Sequence, residues 1–314
     1  MKSDSPYLLF RKKNILFWLC LLPLFLLSLI YGAVVTVLKF LYRIRMLPSY
    51  KPGCRVISVG NITLGGTGKT PLVEWIAEFL RNNNKEPGII IRGYKRPRPS
   101  KSSVRRRKRS YLELGDEAVM LSENLGDIHI AVGRDKIKSA RELEGLKCDT
   151  LIVDDGFQHW RLRRDLDIIA IDCSQPLSAQ RLLPLGKLRE PLNSLKRAQV
   201  FILTKADLSE DAAKLGEQLH KINPKATVVS SVYNPVCFHD LKTDECFPAD
   251  LPSFKGMPVF VVSGIANPFY FDKILSNLKL NIKRELVYPD HYEYKRGDLD
   301  FIKKLADEMR INTV

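Results

Sequence analysis

The chain has no Cys-x-x-Cys pair, and its six cysteines (Cys20, Cys54, Cys148, Cys173, Cys237 and Cys246) show no zinc-ligand spacing. That excludes a metal knuckle and argues against a disulfide framework, so reduced and mostly buried thiols are expected. No internal repeat occurs, which sets aside solenoid and array architectures. Acid is scarce: 35 Asp and Glu stand against 50 Lys and Arg, for a formal net charge of +15. Such a balance suits an anionic partner, whether nucleic acid, phospholipid headgroups or a phosphorylated substrate. The basic residues, however, lack aromatic interleaving and any recognised nucleic-acid module, and no nucleic-acid partner is expected.

What is present centres on VISVGNITLGGTGKTPLVEWIAEFL, Val56 to Leu80. It reads as a buried strand, a glycine-rich turn and an amphipathic helix opening at Lys69, the order that builds a phosphate cradle. Gly65, Gly66 and Gly68, with Thr67 among them, let the backbone bend and aim N–H groups at phosphate oxygens. Lys69 would reach the β- and γ-phosphates, and Thr70 would offer its hydroxyl to Mg²⁺. The generic motif wants a glycine where Thr63 stands. The strand, glycines, Lys-Thr pair and apolar-striped helix still point to a nucleotide-phosphate site.

Upstream runs an uncharged stretch, Ile15 to Leu38, bracketed by Arg11, Lys12 and Lys13 and by Lys39, Arg43 and Arg45. At helical rise it is long enough for a bilayer's hydrocarbon core, and it is too long, with no small-x-small site behind it, for a cleaved signal peptide. Pro23 leaves a kinked segment within one leaflet as an alternative to a full span. Nucleotide chemistry places the rest of the chain on the cytoplasmic side.

Downstream, Gly88–Ile91 follows the first helix at the distance expected of a β-α-β crossover. The basic run from Arg92 to Ser110 is expected to be a flexible loop or hairpin meeting anionic lipid, each Lys or Arg contributing about 1 kcal/mol near the surface. Asp116 of LGDE opens a short helix, where N-capping is its ordinary role. A buried strand, Thr150 to Val153, ends in Asp154 and Asp155, as a P-loop enzyme needs to hold Mg²⁺ opposite its Lys-Thr pair. Because side chains alternate along a strand, one of the two is expected to face the metal. Gln158 and His159 follow within reach, and Lys187 and Arg189 sit in a loop suited to phosphate or headgroup.

Further strands at Asp167–Ile171 and Gln199–Leu203 complete the fold expectation: an α/β, P-loop NTPase-type, mostly parallel sheet flanked by helices, with an N-terminal membrane helix and a smaller C-terminal α/β lobe. The second of these strands ends in TKAD, Thr204 to Asp207, a weak guanine-reading signature. The expected division is 1–47, membrane helix; 48–235, nucleotide domain; and 236–314, small lobe, with strands at Pro258–Ser263 and Leu286–Tyr288.

GNITLGGTGKTP, RGY, LGDE, VDDGFQH, LLPLGKLREPL and YPDHYEY, in this order behind an apolar helix, resemble the tetraacyldisaccharide 4'-kinase family of lipid A biosynthesis. The resemblance spans nearly the whole chain, and in that family Thr63 is the normal residue at its place. It implies ATP- and Mg²⁺-dependent phosphorylation of the 4'-hydroxyl of an acylated glucosamine disaccharide 1-phosphate, at the inner membrane and facing the cytoplasm. Lys69 and Thr70 would hold phosphates and Mg²⁺, with Asp154 or Asp155 completing the metal site. Asp116 and His291 would form an acid–base dyad, supported by Gln158, His159 and Arg189. Inner-membrane anionic lipids and the lipid substrate are the implied partners, with no obligate protein partner. Relatives continue past the point where this chain ends, so a strand and helix of the small lobe are expected beyond Val314. The competing readings are a GTPase-type switch or metallochaperone, from TKAD, and a membrane-tethered nucleic-acid binder.

Overall fold

The computed structural model describes residues 15–93, 103–104, 115–175, 177, 180–208, 211–290, 292–311 and 313–314. Two compact units emerge: the first comprises 1–204 and 211–230, the second 205–210 and 231–314.

The first unit opens with helix α1, Ile15–Arg43, which continues five residues past the apolar run and carries Pro23 inside it. The segment Leu21–Arg43, of mean hydropathy 2.4, is long and apolar enough to cross a membrane. Then come β1 (Arg55–Gly60), α2 (Lys69–Asn82), β2 (Pro87–Ile91), β3 (Ser103–Val104), α3 (Asp116–Asn124), β4 (His129–Val132), α4 (Lys136–Gly145), β5 (Thr150–Asp154), β6 (Leu166–Asp172), β7 (Val200–Thr204), α5 (Ala212–Ile222) and β8 (Thr227–Ser230). The strands form one sheet in the order β3-β4-β2-β5-β1-β6-β7-β8. Every pairing in it is parallel except that of β3 with β4.

Period-two alternation explains how the sheet is covered on both faces. Val59, Ile89, Ile91 and Ile130 pack under α2 and α3 against Val73, Ile76, Ala77 and Leu121. Val56, Ile90, Ala131, Leu151 and Val153 point the other way, onto Ala140 and Leu143 of α4. β1 and β5 lie side by side in the middle, so the phosphate turn and the aspartates end up as neighbours at the carboxyl edge of the sheet. Most of the basic run lies outside the described residues; Ser103 and Val104 within it pair antiparallel with β4.

The second unit holds a hairpin, β9 (Cys237–His239) with β10 (Cys246–Pro248), and a parallel pair, β11 (Pro258–Ser263) with β12 (Asn281–Val287). Helices α6 (Pro268–Asn277) and α7 (Arg296–Glu308) complete it. Phe260 packs with Ile302, Leu305 and Ala306, whereas Val259 and Val261 pack with Leu275, so both faces of β11 are covered.

Two expectations change here. β12 starts five residues before Leu286, because its inward positions Ile282 and Leu286 alternate with exposed Lys283, Glu285 and Val287 and leave little apolar run to read. The cysteines are not all reduced: Cys237 and Cys246 are disulfide-bonded and exposed. The hairpin register, which sets Cys246 opposite His239 and Cys237 opposite Pro248, brings together two residues that spacing alone does not relate. Cys148 and Cys173 are buried and Cys54 is half-buried, all three outside the disulfide.

Candidate functional site

The phosphate turn is shaped by contacts that a sequence motif does not describe. Gly60 ends β1 where a Cβ would come within 2.5 Å of the Phe157 Cβ, so only glycine lets the loop after β5 approach. Gly68 takes φ 76° as the N-cap of α2, the left-handed conformation that starts the helix at Lys69. Thr63 bridges to Leu188, flanked by Leu64 N–H donating to the Lys187 carbonyl and Arg189 N–H to the Ile62 carbonyl, each at 2.8 Å. The turn is thereby clasped by the loop holding Lys187 and Arg189. Thr67 is buried, and its carbonyl accepts from Thr204 Oγ1 at 3.1 Å. Asn61 Nδ2 donates to the Gly65 carbonyl at 3.5 Å, and the Asn61 carbonyl accepts from Gln158 Nε2 at 2.9 Å.

Asp154 and Asp155 have different surroundings. Asp155 leaves the strand with φ 50°, in the left-handed region, so the expected alternation of faces stops at Asp154. Its carboxylate accepts two hydrogen bonds from Arg189, at 2.6 and 3.0 Å, and lies 3.9 Å from Lys69 Nζ. Burial pushes Asp155 up, but Arg189, Lys69 and Lys136 together outweigh it and hold it below the ordinary carboxylate range. Asp154 is buried, and its Oδ1 has no hydrogen-bond partner. Burial pushes its pKa up to about 6, against the pull of Lys69. A buried carboxylate oxygen with nothing to accept from, facing the field of Lys69, fits a cation that arrives with its ligand.

Behind both aspartates, Lys136 at the start of α4 donates to the Asp154 and Asp155 carbonyls at 2.6 Å each. Burial pushes this ammonium down to about 8. Thr70 Oγ1 lies 3.5 Å from Glu117 Oε1. Asp116 is the first residue of α3, and the N-cap is Gly115 at φ 85° instead; the Asp116 carboxylate accepts from the Glu117 N–H at 2.9 Å. His159 is half-buried with its Nε2 unpartnered, and burial, followed by the nearby Lys136 and Arg164 charges, lowers its pKa to about 4. It is a neutral imidazole near pH 7.

The first unit therefore gathers Lys69, Thr70, Asp154, Asp155 and Arg189 around the turn, with Gln158 bracing Asn61. His291, the proposed partner of Asp116, lies outside the described residues. Arg189, expected to meet phosphate or headgroup, has Asp155 and the Asn61 side chain as partners, the latter at 3.2 Å. Sequence reasoning assigned no role to Asn61, Glu117 and Lys136, and read Thr204 only as the start of TKAD. Asn61 and Glu117 adjoin motif residues and were within reach of inspection, but nothing in the sequence marks Lys136 as a buried cation. Among the described residues no group of three or more His, Cys, Asp or Glu has metal-holding geometry.

A parallel sheet with a glycine turn leading into Lys-Thr, and acids at the end of the neighbouring strand, defines a P-loop nucleotide-binding fold. A family model described as tetraacyldisaccharide-1-P 4'-kinase matches residues 20–314. A tetraacyldisaccharide 4'-kinase of Halothermothrix orenii is 36% identical over 309 residues, covering 93% of this chain and 80% of that protein. One of Elusimicrobium minutum is 36% identical over 294 residues, covering 91% and 78%. The crystal structure of LpxK from Aquifex aeolicus in complex with ATP superposes with a TM-score of 0.68 at 30% identity, covering 89% of this chain and 85% of that one. The chain belongs to the tetraacyldisaccharide-1-P 4'-kinase family.

Proposed function

We propose that this protein is a kinase that transfers the γ-phosphate of ATP to the 4'-hydroxyl of a tetraacyl glucosamine disaccharide 1-phosphate, the step that forms lipid IVA in lipid A biosynthesis. The observation that carries it is the pairing of a family match over residues 20–314 with a P-loop whose Lys69 faces the carboxylates at the end of β5.

Lys69 would hold the transferring phosphoryl group at the mouth of α2, where the helix N-terminus adds its partial positive charge. Backbone N–H groups from Gly65 to Gly68 would line the phosphates, with Thr63 beside them at the clasped start of the turn, and Thr70, Asp154 and Asp155 would hold Mg²⁺. Bound there, the ion would neutralise charge on the phosphate oxygens. Arg189 keeps Asp155 ionised and in place. Asp116 with His291 would accept the proton of the sugar hydroxyl, a weak nucleophile that needs a positioned base. The N-terminal helix supports placement at the inner membrane, with the nucleotide unit in the cytoplasm beside anionic lipid.

GTP is not favoured. Asp207 of TKAD accepts a hydrogen bond from the Tyr270 hydroxyl at 2.9 Å, so the carboxylate that would read guanine already has a partner within its own unit.

The test is transfer of labelled γ-phosphate from ATP, and separately from GTP, to the tetraacyl disaccharide 1-phosphate in mixed micelles with Mg²⁺. ATP-dependent labelling that vanishes in Lys69→Ala is the expected result. Hydrolysis without lipid labelling would overturn the reading.

A further inference from the structure

Helix α1 has two faces of different character. From Ser28 onward one stripe is covered: Ser28, Gly32 and Val35 are buried, and Tyr31, Lys39 and Tyr42 are half-buried. The spacing is that of one helix face. Leu22, Phe25, Leu29, Ile30, Val37 and Phe40 are exposed.

The covered stripe is not held by apolar packing alone. Ser28 Oγ donates to the Leu182 carbonyl at 3.0 Å, Tyr31 OH to the Arg189 carbonyl at 2.7 Å, and Lys39 Nζ to Ser194 Oγ at 2.9 Å. At Gly32 a Cβ would stand 2.8 Å from Leu182 Cδ1, so the helix backbone lies directly on the loop. All three acceptors fall between residues 182 and 194. This is the segment whose main chain clasps the phosphate turn through Ile62 and Leu64, and whose Arg189 guanidinium grips Asp155. Tyr31 and Asp155 are therefore two bonds apart through one residue: phenol to carbonyl, guanidinium to carboxylate.

A helix that only anchors needs an apolar surface and a linker. This one places a phenol on the main chain of the arginine that sets a site carboxylate. We infer that Tyr31 is a positioning residue for phosphoryl transfer: by fixing the Arg189 carbonyl it sets where the guanidinium holds Asp155, so the seating of α1 is a condition for turnover as well as for membrane attachment. The inference rests on the kinase reading for its turnover measurement and is independent of it for its binding measurement.

The experiment uses the full chain and a double-mutant cycle of Tyr31→Phe with Arg189→Ala, with Thr36→Val as a control. Among the described residues Thr36 Oγ1 bonds the Gly32 carbonyl of its own helix, at 2.7 Å. Turnover, the KM for the lipid, the Kd for Mg·ATP, and partition onto phosphatidylglycerol vesicles are measured for each. Tyr31→Phe is expected to lower kcat about three- to tenfold and to weaken Mg·ATP binding about threefold, the scale of one lost hydrogen bond. Lipid KM and vesicle partition should stay at wild-type values, Thr36→Val should match wild type, and Tyr31→Phe should add nothing once Arg189 is alanine.

Wild-type kcat and Kd in Tyr31→Phe would overturn the inference. So would an equal loss in the Arg189→Ala background, which would mean general destabilisation. A kcat loss that merely tracks a fall in vesicle partition would reduce Tyr31 to an anchor. Absence of lipid transfer by the wild type would sink the kinase reading, and the Mg·ATP Kd cycle would then decide the role of Tyr31.

Discussion

Strands β5 and β7 lie in one parallel sheet, are largely buried, and each runs into acidic residues at its carboxyl end, where P-loop proteins bind nucleotide. By pattern alone both ends are candidates. Their polar atoms differ in what they already have. After β5, Asp154 keeps an unpartnered buried oxygen and Asp155 is held between Lys69 and Arg189. After β7, Thr204 Oγ1 bonds the Thr67 and Ile171 carbonyls, and Asp207 accepts from Tyr270 OH while its main-chain carbonyl accepts from Lys273 Nζ. Unsatisfied polarity in a buried place costs stability and persists where a ligand supplies the missing partner. At the β7 end the Asp207 carboxylate is met by a protein hydroxyl instead. We propose the end of β5 as the site, while Thr204 at the end of β7 braces the phosphate turn through the Thr67 carbonyl.

The largest test of this contrast is Asp154→Asn. The amide keeps the shape and removes the charge, so lipid phosphorylation should fall by about a hundredfold or more. The unpartnered carboxylate, whose ionisation burial opposes, is replaced by a neutral group, so the melting temperature should not fall. A variant with near-wild-type turnover would break the assignment of β5 as the metal-bearing end; a large stability loss would make Asp154 structural.

How much of this was legible beforehand follows from which physical signals are local. The phosphate turn, its helix and the buried strands stood out because glycines, Lys-Thr and apolar runs are adjacent in the chain. The strand order was not legible: β5 is inserted between the consecutive strands β1 and β2 and so lies beside β1. What escaped were relations between distant residues. Asp155's left-handed backbone let it depart from strand alternation, and Lys136 became a buried cation through α4 landing beside the β5 carbonyls. The Cys237–Cys246 bond needed the register of a hairpin whose strands are three residues each. TKAD misled for a related reason: the tetrapeptide shows which groups are present but not that Tyr270 occupies one of them.

A second, smaller effect concerns His159, in the loop after β5. Its pKa is lowered to about 4 by burial and by Lys136 and Arg164, whereas the unfolded imidazole titrates near the ordinary 6.5. As pH falls below that value the unfolded chain takes up a proton that the folded one refuses until about 4, so stability is lost across this window. The full shift corresponds to about 3 kcal/mol, and solvent access to the half-buried ring reduces the expected loss to about 2 kcal/mol. Asp154, with its pKa raised to about 6, contributes with the opposite sign in the same window, so the measurement is the difference: the urea-unfolding stability of the wild type relative to His159→Gln should fall by this amount between pH 7 and 4. An unchanged difference would place the acid sensitivity elsewhere.

The smallest effect should come from the other end of the comparison. Asp207→Asn removes charge from the one residue that a guanine-binding reading would require, yet the amide oxygen still accepts from Tyr270. If the carboxylate is scaffold, the preference for ATP over GTP in the transfer assay should not change, and unfolding stability should drop by about 1 kcal/mol at most. Tyr270→Phe should give a larger stability loss, because it deletes the same bond from its donor side and also removes the acceptor of the Tyr233 N–H at 3.3 Å. A tenfold shift in nucleotide preference in Asp207→Asn, with no such shift in Tyr270→Phe, would mean that the carboxylate reads the base. The ends of β5 and β7 would then both belong to the nucleotide site, and hydrogen-bond satisfaction would no longer separate them.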